Sequence, residues 1–159
     1  PGKMAMGFPS ARVLICAIFF NGAGWMRSTK KRFKLLLAVV ERQAADLRGF
    51  AQGIALLEDV ESLANRALCA CESLRLRVAE LPKQAFVQQI LQEDALLRLD
   101  ELVDQDVVSE LERRFAGSLR GVDSRELGDL LRQLLDKVEQ HVARMSESIQ
   151  QLVALLNAE

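Results

Sequence analysis

The segment LEDVESLANRALCACESLRLRVAEL, residues 57–81, decides the fold class of this chain. Apolar residues recur in it at alternating steps of three and four, without interruption. This spacing keeps one face of an α-helix apolar, whereas a strand would need alternation at every second residue. The segment therefore predicts a long amphipathic helix with a coiled-coil-like seam. The seam consists of Leu57, Val60, Ala64, Ala67, Cys71, Leu74, Val78 and Leu81.

A similar seam precedes it between residues 33 and 54. At the junction two steps of three follow each other, so the apolar face rotates as at a coiled-coil stammer. Gly49 and Gly53 lie near this junction and mark either a weak hinge or a close approach of another helix. Because no strong N-cap residue stands between residues 52 and 57, we favour one bent helix over residues 29–81, with two separate helices as the alternative.

Two more helical segments follow. Pro82 suits the first turn of a helix over about residues 83–116, whose stripe runs from Leu96 to Phe115. Asp123 and Glu126 resemble a capping box at the start of a last helix, about residues 124–157. The whole pattern predicts an all-α fold, an elongated antiparallel bundle of three or four long helices over residues 29–159.

Residues 1–28 have a different character and form a separate leader in this interpretation. Residues 1–34 contain seven basic residues and no acid, a net charge of +7. The rest of the chain has 14 basic residues against 22 acidic ones, a net charge of −8. The apolar run at residues 13–20 is too short for a spanning helix, which needs roughly 20 residues. It remains open whether the leader is a targeting segment, an anchor, or an extension before a natural start at Met26.

The sequence contains no pattern typical of an active site. No Gly-rich phosphate loop, nucleophile elbow or paired metal-ligand motif is present. Cys69 and Cys71 would point about 200° apart on a helix, so they do not form a metal site. We predict a protein that is not an enzyme and has no catalytic residues, cofactor or metal. Three cysteines without a spaced framework favour the cytoplasm or another reducing compartment, and the basic, acid-free leader leaves organellar targeting open.

Helices of unequal length cannot cover every apolar stripe within one chain, and uncovered stripes are association surfaces. The sequence therefore predicts a protein–protein interaction module, a scaffold, adaptor or helical chaperone subunit, that pairs helices with another protein or with itself. The residues predicted to contact the partner are Leu57, Val60, Ala64, Ala67, Leu74, Val78, Leu135, Val142, Ile149 and Leu156.

Two alternatives stay open. In the first, residues 11–34 hold the protein at a membrane surface or an anionic partner through Arg27, Lys30, Lys31, Arg32 and Lys34, because these cations oppose the dipole of the helix they begin. Nucleic acid is not an expected partner, since the remaining charge of −8 repels its backbone. In the second, the only histidine, His141, is a phosphoacceptor on a helical bundle. The simpler interpretation of His141 is a polar residue at the edge of a seam.

Overall fold

The computed structural model describes residues 28–120 and 125–158, and over these residues the fold is all-helical. The predicted all-α class is confirmed. Six α-helices pack together in the described part of the chain. They are α1 (Thr29–Ala51), α2 (Glu58–Glu80), α3 (Phe86–Leu91), α4 (Asp94–Val103), α5 (Val107–Leu119) and α6 (Arg125–Asn157), with 3₁₀ turns at Ala55–Leu57 and Lys83–Ala85.

The finer prediction of three or four long helices is not confirmed. The helices α1 and α2 have 23 residues each and α6 has 33. The other three are short, with 6, 10 and 13 residues. The predicted third helix is the one that differs, because the structure divides it into α3, α4 and α5.

The preferred single bent helix over residues 29–81 is wrong, because the chain reverses between α1 and α2. Gln52 has φ −61° and ψ 131°, and Gly53 has φ +81°. The amide of Ile54 donates to the carbonyl of Ala51 at 3.2 Å. These angles define a type II turn, which needs a left-handed residue at its third position and so favours glycine there. Gly53 is thus a turn residue rather than a hinge within a helix.

The start of α2 could not be recognised in the sequence, because its N-cap residue is a weak one. Its N-cap position is Leu57, which has no capping side chain. Instead Glu58, Asp59 and Glu61 occupy the first turn. Carboxylates there interact favourably with the positive end of the helix dipole. The acid cluster was the available signal for a helix start.

The break between α4 and α5 has a similar local cause. Asp106 accepts a hydrogen bond from the amide of Ser109 at 3.1 Å and so caps α5. Hydrogen bonding to Ser109 lowers the pKa of the Asp106 carboxyl. An Asp cap offers the backbone an alternative to continuing the preceding helix. The stripe from Leu96 to Phe115 is therefore shared by two helices.

The helices α1 and α2 run antiparallel. Lys30, at the start of α1, donates from Nζ to the carbonyl of Leu81 just after α2, at 2.6 Å. Leu81 has φ −85° and ψ 134°, the extended conformation expected before Pro82. At the same end of the molecule the rings of Phe33 and Phe86 meet edge to face, with centroids 5.3 Å apart.

The core lies between α1, α2, α4 and α6. The most extensive helix–helix interfaces are those of α1 with α2 and of α1 with α6, while α4 packs against both α2 and α6. The shorter α5 packs on α6 and on the turn at Ala55–Leu57. Both seams identified in the sequence are buried in this core, except for the half-buried Ile54. Asp123 of the predicted capping box lies outside the described residues, and α6 begins with Glu126 in its first turn.

Candidate functional site

The burial of α6 changes along its length. From Val138 onward most of its apolar residues are buried: Val138 is 0% exposed, Met145 1% and Ile149 0%. Near the other end, Leu127 is 42% exposed and Leu130 61%. The apolar stripe is therefore continuous in sequence but covered over only part of the helix.

A difference in length explains this gradient. At 1.5 Å per residue, α6 is about 50 Å long and α1 about 35 Å. Phe50, at the end of α1, contacts His141, in the middle of α6. The first half of α6 thus extends past the end of α1.

We call Leu127, Leu130, Leu131 and Leu134 the α6 leucine surface. Leu131 and Leu134 are partly buried and pack against the core, whereas Leu130 is largely exposed. The four residues lie within about two helical turns and share one side of α6. They form a contiguous apolar strip with one open edge.

Charged and polar residues border the open edge. Glu126, Leu130, Gln133 and Lys137 follow each other at steps of four, three and four, so they lie on one strip of the helix surface. All four are exposed. We call this strip the open row. A partly apolar strip bordered by charges is typical of surfaces where helices pair.

The α2 residues that were predicted to contact a partner do not lie on the protein surface. The helices α1 and α4 cover this seam, so each of these residues is at most 1% exposed. They are Leu57, Val60, Ala64, Ala67, Leu74 and Val78. The seam is therefore covered rather than open in this structure, and its contact with a partner stays a prediction. It forms the inside of the domain.

The predicted contact residues on α6 are buried or half-buried in this structure, and their contact with a partner stays a prediction. Ile149 is 0% exposed and Leu156 1%, because the carboxyl-terminal half of α6 packs into the core. Leu135 and Val142 are partly buried. On α6 the exposed leucines in the described structure are Leu127 and Leu130, which were not among the predicted contacts. The helices are unequal in length, as predicted, and the part of α6 that extends past α1 is its first turns.

The residues of the predicted basic cluster differ in their exposure and in their contacts. Lys30 is held by the Leu81 carbonyl, and Arg32 is half-buried. Lys31 and Lys34 are exposed, and Arg27 lies outside the described residues. No described helix has the length and apolar character needed to cross a membrane.

His141 is a half-buried residue of α6, and its ring faces α1. Its ring is 5.4 Å from the ring of Phe50, with the two planes tilted by 33°. Burial lowers the pKa of His141, the Arg144 and Lys137 cations lower it further, and the Asp46 carboxylate opposes them. The phosphoacceptor role remains a prediction, and the position matches the simpler interpretation of a polar residue at a seam edge.

A polar groove of about 940 Å³ lies between α2 and α4. Acids and arginines share its lining, including Asp59, Glu101, Arg66 and Arg98, and the exposed Cys69 also lies there. Arg66 donates to the side-chain oxygen of Gln105 across it at 3.0 Å. In the described ranges no group of three or more His, Cys, Asp or Glu residues is arranged to hold a metal ion. The mixed charges point to no particular ligand.

Cys71 faces the opposite way and is 0% exposed. Burial raises the pKa of its thiol to about 12, with a further contribution from the Glu41 carboxylate and an opposing one from Arg75. A thiol with so high a pKa is unreactive, since the thiolate is the nucleophile and the metal ligand. Cys71 is a core residue.

Comparisons of the chain with protein-family models, with curated proteins and with solved structures find no match.

Proposed function

We propose that this protein is a non-enzymatic protein–protein interaction module and that it binds its partner through the α6 leucine surface. The observation that carries the proposal is the 61% exposure of Leu130 on a helix whose apolar residues from Val138 onward are mostly buried. Burying a fully exposed leucine contributes about 1.5–3 kcal/mol, so covering this strip favours association.

The form of the surface favours a helical partner. The leucines recur at helical spacing and the open edge carries charges at both ends, as in helix-in-groove recognition and coiled-coil pairing. The strip is short, so we expect micromolar or weaker affinity unless the partner also contacts neighbouring elements. A scaffold or adaptor role in a larger assembly is consistent with such a contact.

A photo-crosslinking amino acid at position 130 tests this proposal. We expect it to yield covalent adducts with protein when the full chain is irradiated in the expressing cell. The matched control places the same amino acid at position 76, because Leu76 on α2 is 62% exposed, almost the same as Leu130. Equal yields at the two positions, or no adduct from position 130, would contradict the proposal.

A charge substitution provides a second measurement. Leu130→Glu should abolish the adducts formed from a photo-crosslinker at position 133, while Leu76→Glu should leave them unchanged. Both substitutions replace a largely exposed leucine, so neither should unfold the domain. Circular dichroism of both variants checks this.

A further inference from the structure

The end of the domain at which α1 begins has a basic surface built from two parts of the chain. Lys30 and Lys34 lie one turn apart on α1 and therefore share a side of the helix. Lys30 donates from Nζ to the carbonyl of Leu81 at 2.6 Å, which brings the turn that carries Lys83 to the same end. Lys31, Lys34 and Lys83 are exposed, and we call these three residues the basic end.

The segments that meet here contain no acid. Residues 29–40 and 81–92 together carry five cations, and the described end of α6, residues 148–158, has no charged side chain. Within the described residues none of the three lysines of the basic end forms an ion pair. The charge of the basic end is therefore available to a partner.

The acids that border these segments have interactions of their own. Glu41 lies 3.8 Å from an arginine of α2. Glu80 and Glu93 both form ion pairs with Arg77. Asp94 is in the first turn of α4, where a carboxylate interacts favourably with the helix dipole. None of these acids belongs to the segments that carry the basic end.

The folded domain gives a reason for Lys30 but none for Lys31. Lys30 lies at the carboxyl end of α2, where a cation interacts favourably with the dipole of that helix. Lys31 is in the first turn of α1, which has no acid and whose dipole opposes a cation. The first turn of α2, by contrast, contains three acids. The basic end thus does not serve the stability of α1.

We propose that the basic end binds the anionic headgroups of a lipid bilayer. Leu35 follows Lys31 by one turn, so it lies on the same side of α1, and it is 41% exposed. An apolar side chain among lysines suits the boundary between headgroups and acyl chains. The aromatic rings at this end, Phe33 and Phe86, are at most 1% exposed. The described surface here therefore offers no ring on which a nucleic-acid base would stack.

This inference goes beyond the proposed function, because it concerns the other end of α1. The α6 leucine surface lies past Phe50, whereas the basic end lies at Lys30. In the sequence before α1, residues 1–27 add three cations and no acid, and residues 13–20 are all apolar. Stable attachment to a bilayer takes two such signals, one basic and one apolar. Zwitterionic vesicles separate the two contributions, because they attract an apolar segment but not lysines.

Co-sedimentation of the full chain with lipid vesicles tests the proposal. We expect vesicles with about 30% phosphatidylserine to bind at least about tenfold more tightly than pure phosphatidylcholine at about 0.1 M salt. The triple variant Lys31→Gln, Lys34→Gln, Lys83→Gln should lose about 100-fold in affinity for the anionic vesicles, because each cation contributes about fivefold near such a surface. The corresponding triple arginine variant keeps the charge and should bind as the wild type does.

A second triple variant is the matched control. Arg125→Gln, Arg132→Gln and Lys137→Gln remove the same net charge from exposed positions in the first half of α6. These positions lie at the other end of the domain, so the affinity for anionic vesicles should change by less than about twofold at this salt concentration. Circular dichroism and thermal unfolding of every variant check that the helices are intact.

Three results would overturn the proposal. The first is equal binding of the wild type to anionic and zwitterionic vesicles, or to neither. The second is an equal loss of affinity in the two triple glutamine variants, which would show an effect of net charge rather than of the basic end. The third is binding to a DNA duplex through the basic end without binding to anionic vesicles, which would assign these lysines to nucleic acid.

Discussion

The ring of Phe50 packs against the imidazole of His141, with 5.4 Å between their centroids. This contact joins the last turn of α1 to the middle of α6. It also marks a boundary on α6, because the described apolar residues after it are mostly buried and the leucines well before it are partly or largely exposed. The contact thus separates the part of α6 that stabilises the domain from the part proposed to bind a partner.

The first prediction concerns the pKa of His141. Burial and the nearby Arg144 and Lys137 cations lower it below the ordinary value of 6.5. The folded state therefore binds fewer protons than the unfolded state near this pH. Its contribution to the free energy of unfolding is complete above pH 6.5 and is lost as the pH falls through the folded-state pKa.

Proton NMR measures this pKa directly, because His141 is the only histidine in the chain. Urea unfolding at pH 7.5, 6.5 and 5.5 should show the wild type losing stability relative to His141→Gln as the pH falls. Parallel curves for the two proteins, or a folded-state pKa above 6.5, would contradict the prediction.

The second prediction compares two glycines four residues apart. Gly49 is an exposed residue within α1, and a Cβ built there would meet no atom within 4 Å. Gly49→Ala should therefore raise the free energy of unfolding by about 0.5–1 kcal/mol, through helix propensity. Gly53 has equal space but φ +81°. Gly53→Ala should lower the free energy of unfolding by about 1–2 kcal/mol.

Urea unfolding of the two variants provides the measurement, and each is the control for the other. The opposite signs isolate backbone conformation, because neither substitution meets a steric obstacle. The same sign for both would mean that the turn at Gly53 does not exist as described.

The third prediction concerns thiol reactivity. Cys69 is exposed and Cys71 is buried with a pKa of about 12. In a Cys16→Ser background, a disulfide reagent at neutral pH should label one thiol rapidly. The second should react only as fast as the domain opens, since the thiolate is the reactive form and Cys71 is covered.

Urea should accelerate the slow phase in proportion to the loss of folded protein. Cys69→Ser should remove the fast phase alone. Two fast phases in the folded protein would show that the seam of α2 is accessible.

The fourth prediction concerns a buried hydroxyl. Ser148 on α6 is 0% exposed, and its Oγ has no hydrogen-bond partner in the described structure. The buried Oε1 of Gln43 on α1 also lacks one. Ser148 lies seven residues after His141 on α6, and Gln43 lies seven residues before Phe50 on α1. A buried polar atom without a partner reduces stability.

Ser148→Ala should therefore raise the free energy of unfolding by up to about 1 kcal/mol. Met145→Ala, one turn earlier on the same helix, is the control and should lower it by about 2–5 kcal/mol through a core cavity. A clear loss of stability in Ser148→Ala would mean that the hydroxyl is satisfied, for example by a bound water.

The helical seams were readable from the residues because a helix buries one face at a fixed spacing. Phe33, Val40, Leu47, Val60 and Leu74 all proved to be core residues. The helix boundaries were less readable. The turn at Gly53 and the cap at Asp106 depend on single residues whose conformation does not change the apolar spacing, so the periodicity continued across both breaks.

The candidate site was readable only in part. Unequal helix lengths predicted that some apolar surface would stay open. However, the spacing of apolar residues on α6 is the same around Leu130 as around Ile149. The two positions differ in whether a neighbouring helix covers them, and that depends on where α1 ends relative to α6. No local signal carries this information.

The sequence by itself determined that residues 28–120 and 125–158 are helical in class, which faces of their helices are apolar, and that the charge of the chain is divided between a basic beginning and an acidic remainder. These are properties of spacing and composition. The tertiary structure alone decided that the seam of α2 is internal and that the first turns of α6 are open. Burial is a property of pairs of elements, so a stripe becomes core or surface only when the partner helix is in place.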